Sequence, residues 1–204
     1  MDVSKKHYSE NYDSLKRFIA YFYQIDFVIK MNPSTVLEIG IGNKTVSDYL
    51  KKTGISVTTC DIDKKLEPDI VADIRNLPLK DNSYDTVFAC QVLEHIPFDD
   101  FEKSLLELKR VSGKNVIISI PFTHYYLESF LKIVFPFFER QIHFSIGLPF
   151  LKKKLTNKAE HYWEMGTRRY PKKKIKKIIT KHFKIIKEFK PIFNINRYFF
   201  ILKK

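Results

Sequence analysis

Hydrophobic positions along the chain follow two alternating patterns, which together predict a sheet flanked by helices. Apolar side chains recur every three to four positions over residues 12–30, which predicts an N-terminal helix that Asn32 and Pro33 end. The same spacing predicts three further helices, at 44–52, 98–111 and 170–182. Short β-branched runs between them predict five strands, at 36–39, 55–60, 70–74, 86–90 and 115–120. Strands that alternate with helices are typical of an α/β protein.

The last third of the chain is less regular. Residues 122–155 are rich in aromatic residues and prolines and contain a run of lysines at 152–154. Two apolar runs, 183–189 and 195–202, then predict two strands joined by a short loop around Pro191. A chain of 204 residues is expected to form one domain, which buries a sufficient core without disulfides or metal.

The turn after the first strand carries the first sign of chemistry. Gly40 and Gly42 follow the acid Glu38 and precede a helix, as is typical of nucleotide binding in open α/β sheets. About twenty residues later Asp61 ends the second strand, where a carboxylate accepts hydrogen bonds from both hydroxyls of a ribose. A dinucleotide oxidoreductase uses the same turn, but its fingerprint needs a third glycine where Thr45 stands.

Residues from about 36 to 121 resemble the class I S-adenosylmethionine-dependent methyltransferases, specifically the small, single-domain, type 11-like kind. The resemblance rests on the glycine turn, on Asp61 and Asp73, on Leu-Pro-Leu-Lys-Asp-Asn-Ser-Tyr-Asp at 77–85 and on Gln-Val-Leu-Glu-His-Ile-Pro at 91–97. It implies an α/β fold with a Rossmann-like, mostly parallel seven-stranded sheet, an antiparallel C-terminal hairpin and helices on both faces. It also implies S-adenosylmethionine as the cofactor.

The resemblance assigns a role to each residue around that cofactor. The implied cofactor-binding residues are Glu38, Gly40, Gly42, Asp61, Asp73, Ile74 and Gln91. Glu38 is expected to organise the glycine loop and meet the amino group of the methionine part, and Asp61 to bind the ribose. Asp73 is expected to accept a hydrogen bond from the adenine amino group, with Ile74 as an apolar wall. Gln91 is expected to line the methionine side.

Two departures from the family pattern bear on the pocket. Lys44 occupies the position of a frequent third glycine, and we expect its side chain to point outward; contact with the methionine carboxylate is the alternative. Residues 63–69 leave room for only a turn where the family usually has a crossover helix. The adenosine pocket is therefore expected to be more open on that side.

Residues 160–166 hold a tryptophan, a tyrosine, a histidine and two acids within seven positions. Because they lie between the fifth strand and the last helix, we expect them over the carboxyl ends of the strands, as one wall of the acceptor pocket. His161 is the candidate general base, with Glu164 as a second catalytic candidate. Tyr162 and Trp163 are the candidate substrate-binding walls. A packing turn anchored by Trp163 is the alternative.

Other reactive side chains are interpreted as structural. His95, in Leu-Glu-His-Ile-Pro, is expected to start a helix and not to act as a base. Cys60 and Cys90 stand at strand ends and are expected to be small core residues of a reducing compartment. No metal-binding residues are predicted.

The single domain, residues 1–204, divides into four parts by expected role. They are an N-terminal helical cap at 1–33, a cofactor-binding half at 34–121, a substrate-side insert at 122–170, and a last helix with the terminal hairpin at 171–204.

Charge changes the expected partners. The net charge of +13, from 36 Lys and Arg against 23 Asp and Glu, favours acidic partners such as anionic lipid, phosphorylated compounds or nucleic acid. A lysine-rich compositional bias explains it equally well. We see no signal peptide, and the apolar stretches at 133–138 and 142–151 are too short to span a bilayer. The expectation is a cytoplasmic protein that contacts, at most, an anionic membrane surface.

The predicted function is methyl transfer from S-adenosylmethionine to a small-molecule, glycan or lipid-linked acceptor. RNA methylation through the basic face is an alternative. It is weakened by the lack of the Asn/Asp-Pro-Pro-aromatic signature that enzymes acting on base amino groups typically carry after the fourth strand, so nucleic acid is the less favoured partner. A module that binds S-adenosylmethionine without catalysis is a further alternative.

Overall fold

A computed structural model describes residues 12–123, 125–148, 161–194 and 196–204 of the chain. The helices of this part are α1 (Leu15–Lys30), α2 (Thr45–Lys52), α3 (Phe101–Val111) and α4 (Lys172–His182). The strands are β1 (Thr35–Ile39), β2 (Ser56–Asp61), β3 (Ile70–Val71), β4 (Tyr84–Cys90), β5 (Ser112–Pro121), β6 (Tyr126–Phe135), β7 (Phe138–Gly147), β8 (Lys184–Phe189) and β9 (Arg197–Lys203).

Seven of these strands form one sheet, in the order β3-β2-β1-β4-β5-β9-β8. The strands from β1 to β5 pair in parallel, and Val36 of β1 lies between Val57 of β2 and Thr86 of β4. β9 runs antiparallel to β5, and β8 antiparallel to β9. The predicted mostly parallel seven-stranded sheet with an antiparallel C-terminal hairpin is confirmed.

Helices cover both faces of the sheet, as predicted. On one face α1 and α2 pack onto the strands around Val36 and Phe88. On the other face α3 and α4 pack around Leu37 and Val87. Neighbouring residues of one strand therefore enter opposite cores, which explains why β1 and β4 are apolar throughout, as buried parallel strands usually are.

The strand order reverses beside β1, and this point fixes where a ligand can bind. β2 and β3 lie on one side of β1, whereas β4 and β5 lie on the other. In open α/β sheets the crevice outside the carboxyl ends of two such diverging strands is the usual binding place. The turns after β1, β2 and β4 all open onto this crevice.

Helix ends follow local capping chemistry more closely than apolar spacing. The first helix, predicted over 12–30, begins at Leu15, because the Ser14 hydroxyl accepts a hydrogen bond from Arg17 N at 3.3 Å. The helix predicted over 98–111 is divided into a 3-10 turn at Phe98–Asp100 and α3. The connection from β2 to β3 is a single 3-10 turn, Lys64–Leu66, as the short spacing predicts.

A second, two-stranded sheet is the main feature that the apolar pattern does not predict. β6 and β7 pair antiparallel from Tyr126 and Gly147 down to Phe135 and Phe138. Most of their side chains are exposed, apolar ones included. Among the described residues, no helix is both long and apolar enough to cross a membrane.

Candidate active site

The turn between β1 and α2 requires its glycines. Gly40 has a φ of +79° and Gly42 a φ of +53°, a left-handed region that residues with a Cβ adopt only at a cost. A Cβ on Gly40 would lie 2.3 Å from Cγ2 of Val92, in the loop after β4. The Gly40 N–H donates to the carbonyl of Cys60 at 2.9 Å. The backbone thus passes tightly over the carboxyl ends of β1, β2 and β4.

Lys44 occupies the last position of this turn and also has a positive φ, of +65°. That conformation is the physical reason why glycine would suit the position. The Lys44 ammonium donates to the carbonyl oxygen of Glu67 at 2.9 Å, in the connection after β2. The side chain therefore points outward across the turn, in the expected direction.

Asp61 joins the glycine turn to the end of β2. One carboxylate oxygen accepts from Ile41 N at 2.9 Å, and the other accepts from Asp63 N at 2.9 Å. Burial raises the pKa of Asp61, while these backbone donors act to lower it. Each oxygen of a carboxylate has a second lone pair, so the group can still accept hydrogen bonds from a ligand.

Glu38 lies at the carboxyl end of β1 and is only 3% exposed. Burial raises the pKa of Glu38 to about 8. Within the described part of the chain its Oε2 has no hydrogen-bond partner. A buried carboxylate oxygen without a hydrogen-bond donor destabilises the folded protein. A bound ligand that offers a donor or a cation to Oε2 would remove this cost.

Asp73, Ile74 and Arg75 follow β3 and form the opposite end of the crevice. The Arg75 guanidinium pairs with Asp73 at 2.6 Å and with Asp100 at 2.9 Å. Arg75 therefore holds the pKa of Asp73 below its usual range. Ile74 is 5% exposed. Arg75, which the sequence analysis did not single out, fixes the orientation of the Asp73 carboxylate.

One cavity of about 590 Å³ joins these groups. Its lining includes all seven predicted cofactor-binding residues, Glu38, Gly40, Gly42, Asp61, Asp73, Ile74 and Gln91. Gln91 has a φ of +60°, and its backbone N–H donates to Ser119 O at 2.9 Å. Such strain in a residue other than glycine is common where the backbone is shaped for a ligand.

Two arginines, Arg17 and Arg197, are among the residues that line the cavity. Arg17, Tyr21 and Gln24 of α1 line it, together with Tyr12 and with Arg197 at the start of β9. The Arg17 guanidinium lies 3.5 Å from the ring centroid of Tyr12. Burial, reinforced by the charge of Arg17, lowers the pKa of Arg197. Two cations in one enclosed space favour an anionic group on the bound ligand.

A cluster of titratable side chains lies at the end of the cavity beyond β4. Glu94, His95 and His161 each offer one ligand-type atom, and these atoms lie within 4.8 Å of one another. Glu94 is fully buried, and neither carboxylate oxygen has a hydrogen-bond partner in the part of the chain described. Burial raises the pKa of Glu94 to about 7. Nδ1 of His161 lies 2.7 Å from Oε1 of Glu164.

Two hydrogen bonds hold the segment after residue 160 against the loop after β4. Tyr162 N donates to Glu94 O at 2.9 Å, and the Trp163 indole N–H donates to Ile96 O at 3.2 Å. His161 and Tyr162 line the cavity as a result. Glu94 and His95, although both belong to the quoted motif at 91–97, were not predicted as site residues, because only the fold brings His161 beside them.

The prediction that Trp163 forms a wall of the acceptor pocket is wrong. Its side chain is 0% exposed and packs against Phe98 and Phe101, so it anchors the segment as a core residue. Glu164 is buried as well and contacts Thr123 and His161. Neither Trp163 nor Glu164 is among the described residues that line the cavity. Glu164 therefore reaches a substrate only through His161.

Comparison with known proteins agrees with this geometry. Residues 37–120 match the family model described as a methyltransferase domain. Magnesium protoporphyrin IX methyltransferase from Synechocystis PCC 6803 with bound S-adenosylhomocysteine superposes with a TM-score of 0.67 at 13% identity, over 98% of this chain and 92% of that one. The 1,6-didemethyltoxoflavin-N1-methyltransferase of Burkholderia thailandensis gives a TM-score of 0.63 at 13% identity, over 98% and 84%.

A glycopeptide N-methyltransferase gives a TM-score of 0.57 at 11% identity, over 87% of this chain and 86% of that one. Identities this low show the shared fold only. No match was found among the curated proteins.

The matched domain and the sheet define the class of fold. Residues 37–120 match a methyltransferase domain, and the chain has the fold of S-adenosylmethionine-dependent methyltransferases. The resemblance, the enzyme class and the cofactor predicted from the sequence are confirmed.

Proposed function

We propose that this methyltransferase acts on a small-molecule acceptor that enters the cavity beside Glu94, His161 and Tyr162. The observation that carries the proposal is the division of the cavity. Cofactor-type residues from the turns after β1, β2 and β3 occupy one end, and the cluster after β4 occupies the other. Cavities of roughly 300–1,000 Å³ are typical of small-ligand sites, and this one measures about 590 Å³.

The residues present fit S-adenosylmethionine. We assign its amino group to the unpartnered oxygen of Glu38, its ribose to Asp61, and its adenine to Asp73 with Ile74 as an apolar wall. Gly40 and Gly42 admit the ligand close to the backbone, and Gln91 lines the methionine side. The cofactor supplies an electrophilic methyl group on a sulfonium. The chain's own part is to bind, align and exclude water.

The acceptor end is assigned to three side chains. Tyr162 is 59% exposed overall yet lines the cavity, so it offers a flat apolar wall at the entrance. His161 lines the same end and is oriented by Glu164. We place the His161–Glu164 pair beside the reacting atom of the acceptor, with His161 in contact and Glu164 as the positioning residue.

The residues that α1 contributes to the cavity favour a free acceptor over a polymer. Arg17, Tyr21 and Gln24 line the cavity opposite the strand ends, and we expect a free small molecule to fit between them and the sheet more readily than a segment of RNA. The arginines Arg17 and Arg197 further favour an acceptor or cofactor carboxylate. The related structures named for small molecules and for a glycopeptide support the same class of acceptor.

A lipid-linked acceptor is the second candidate, and the β6–β7 hairpin favours it. At its tip Phe135 is 64% exposed and Phe137 fully exposed, with Phe138 beside them. Lys132 and Arg140 lie on the same two strands. Exposed aromatic residues next to cations suit the interface of an anionic bilayer.

Transfer of labelled methyl groups tests the acceptor class. The purified chain is incubated with S-adenosylmethionine labelled in the methyl group and with an extract of the source cells, separated into small molecules, lipids and RNA. We expect label in the small-molecule fraction, absent with Gly40→Val. Label confined to RNA, or label in no fraction despite cofactor binding, would overturn the proposal.

A further inference from the structure

We propose that Glu94, His95 and His161 form a binding site for one divalent transition-metal ion, which holds the acceptor. Their ligand-type atoms lie within 4.8 Å of one another. Two imidazoles and one carboxylate are a common set for such ions, and the set leaves coordination positions open for a substrate. The role of the ion in holding the acceptor rests on the proposed function, whereas the binding of the ion does not.

The buried carboxylate is the strongest sign of a missing ligand. Glu94 is 0% exposed, and neither of its oxygens has a hydrogen-bond partner among the described residues. Buried carboxylates are normally paired, hydrogen-bonded or bound to a metal. His161, Arg197 and Glu164 are the charged groups that act on Glu94.

The second sign is the support of His161. Its Nδ1 lies 2.7 Å from Oε1 of Glu164, which is itself 2% exposed and held by Thr123. Metal-bound histidines usually donate their other ring N–H to a carboxylate of this kind, which fixes the tautomer and the ring. Nε2 of His161 is then the nitrogen that ligates the ion.

The third sign is that the backbone already holds the two halves of the site together. Glu94 and His95 belong to the 3-10 turn Leu93–His95, and Tyr162 N donates to Glu94 O at 2.9 Å. The rings of His95 and His161 lie 5.1 Å apart, at 76°. Atoms bound to one zinc ion at about 2.0–2.2 Å stand roughly 3–3.5 Å apart, so a rotation of the exposed His95 ring closes the set.

The position of the site gives the ion a role. All three side chains line the cavity, at the end that we assign to the acceptor. An acceptor hydroxyl bound to the ion becomes more acidic and releases its proton to water, and its oxygen is held in place for methylation. His161 then acts as a ligand, which replaces the role of general base that the sequence suggested.

Metal titration of the untagged, full-length chain tests the site directly. After dialysis against a chelator, the chain is titrated with Co²⁺, followed by its visible absorption, and the Co²⁺ is then displaced with Zn²⁺. We expect one equivalent to bind. His95→Ala and the near-isosteric Glu94→Gln should each weaken binding tenfold or more, and Glu164→Gln by ~10–100-fold.

His182→Ala is the matched control, since His182 also faces a carboxylate, that of Glu102 at 2.8 Å, but lies outside the cluster. It should leave the binding of Co²⁺ unchanged. Wild-type affinity no higher than that of His95→Ala would overturn the proposal. Calorimetry of S-adenosylmethionine with the chelator-treated chain distinguishes a failure of the metal site from a failure of the proposed function. If the cofactor binds and metal does not, the metal site alone is rejected. If the cofactor does not bind, the proposed function is rejected.

Discussion

Two buried carboxylates, Glu38 and Glu94, line the cavity. Oε2 of Glu38 and both oxygens of Glu94 have no hydrogen-bond partner in the described part of the chain, and burial raises the pKa of each group. Buried charged groups without hydrogen-bond partners are usually found where a bound ligand supplies the missing donor or the opposite charge. We assign Glu38 to the cofactor and Glu94 to a metal ion, so each residue has a separate test.

Glu38 makes the stability of the ligand-free protein depend on pH. Its pKa in the folded protein is about 8, against an ordinary 4.5, so the folded state binds this proton more tightly than the unfolded state does. The stabilising contribution is complete below about pH 4.5 and is lost as the pH rises through about 8.

Denaturant unfolding at pH 5.5 and at pH 8 measures this effect. Wild type should lose a few kcal/mol more between these pH values than Glu38→Gln, which keeps the shape and cannot ionise. Glu94 contributes equally to both proteins and cancels in the difference. The same pH dependence in both proteins would contradict the assigned pKa.

Gly40 should be intolerant of even one methyl group. Gly40→Ala combines a left-handed φ with a Cβ placed 2.3 Å from Val92, so it should cost ~1–3 kcal/mol of unfolding free energy beyond the backbone strain. Gly54→Ala is the matched control, since Gly54 has a φ of +87° but nothing within 4 Å of the added Cβ. That variant should lose only about 1–2 kcal/mol.

Thermal or denaturant unfolding of three variants checks the cause. Adding Val92→Ala to Gly40→Ala should restore part of the loss, because the colliding Cγ2 is removed. Equal losses in the two glycine variants, with no rescue, would mean that the contact with Val92 carries no cost.

At the scale of elements, the sequence predicts the strands and turns that are determined by residues close together along the chain. The buried run of β1, the glycine turn and Asp61 follow one another along the chain, so their positions could be predicted. The β6–β7 hairpin could not, because β6 has apolar residues on both faces and lacks the alternation of a half-buried strand. Likewise, Trp163 looks like a substrate wall by composition, and only its burial against Phe98 and Phe101 shows that it lies in the core.

The exposed tip of that hairpin gives a prediction about membranes. Phe137→Ser should reduce co-sedimentation with vesicles that contain anionic lipid, and wild-type binding should fall at high salt. Tyr49→Ser, at an exposed position of α2 far from the hairpin in sequence, is the control and should have no effect. Equal binding to neutral and anionic vesicles, or no binding, would reject the lipid-linked candidate.

At the scale of the whole molecule, the sheet brings together residues far apart in sequence. Glu38, Asp61 and Asp73 lie at the ends of neighbouring strands, so strand order alone predicts that they share a site. The acceptor end depends on a contact between residues 94–96 and 161–163. No local pattern encodes that contact, which is why the sequence identified His161 but not its partners Glu94 and His95.

Isothermal calorimetry with S-adenosylmethionine tests the central claim most directly, namely that this crevice binds the methyl donor. Wild type should bind one molecule per chain. Asp61→Ala should weaken binding by roughly 1.5–3 kcal/mol, because a charged acceptor of hydrogen bonds is lost. Asp26→Ala, which removes only a surface pair with Lys30, should bind as wild type does. Unchanged affinity in Asp61→Ala, or no binding by wild type, would contradict the account.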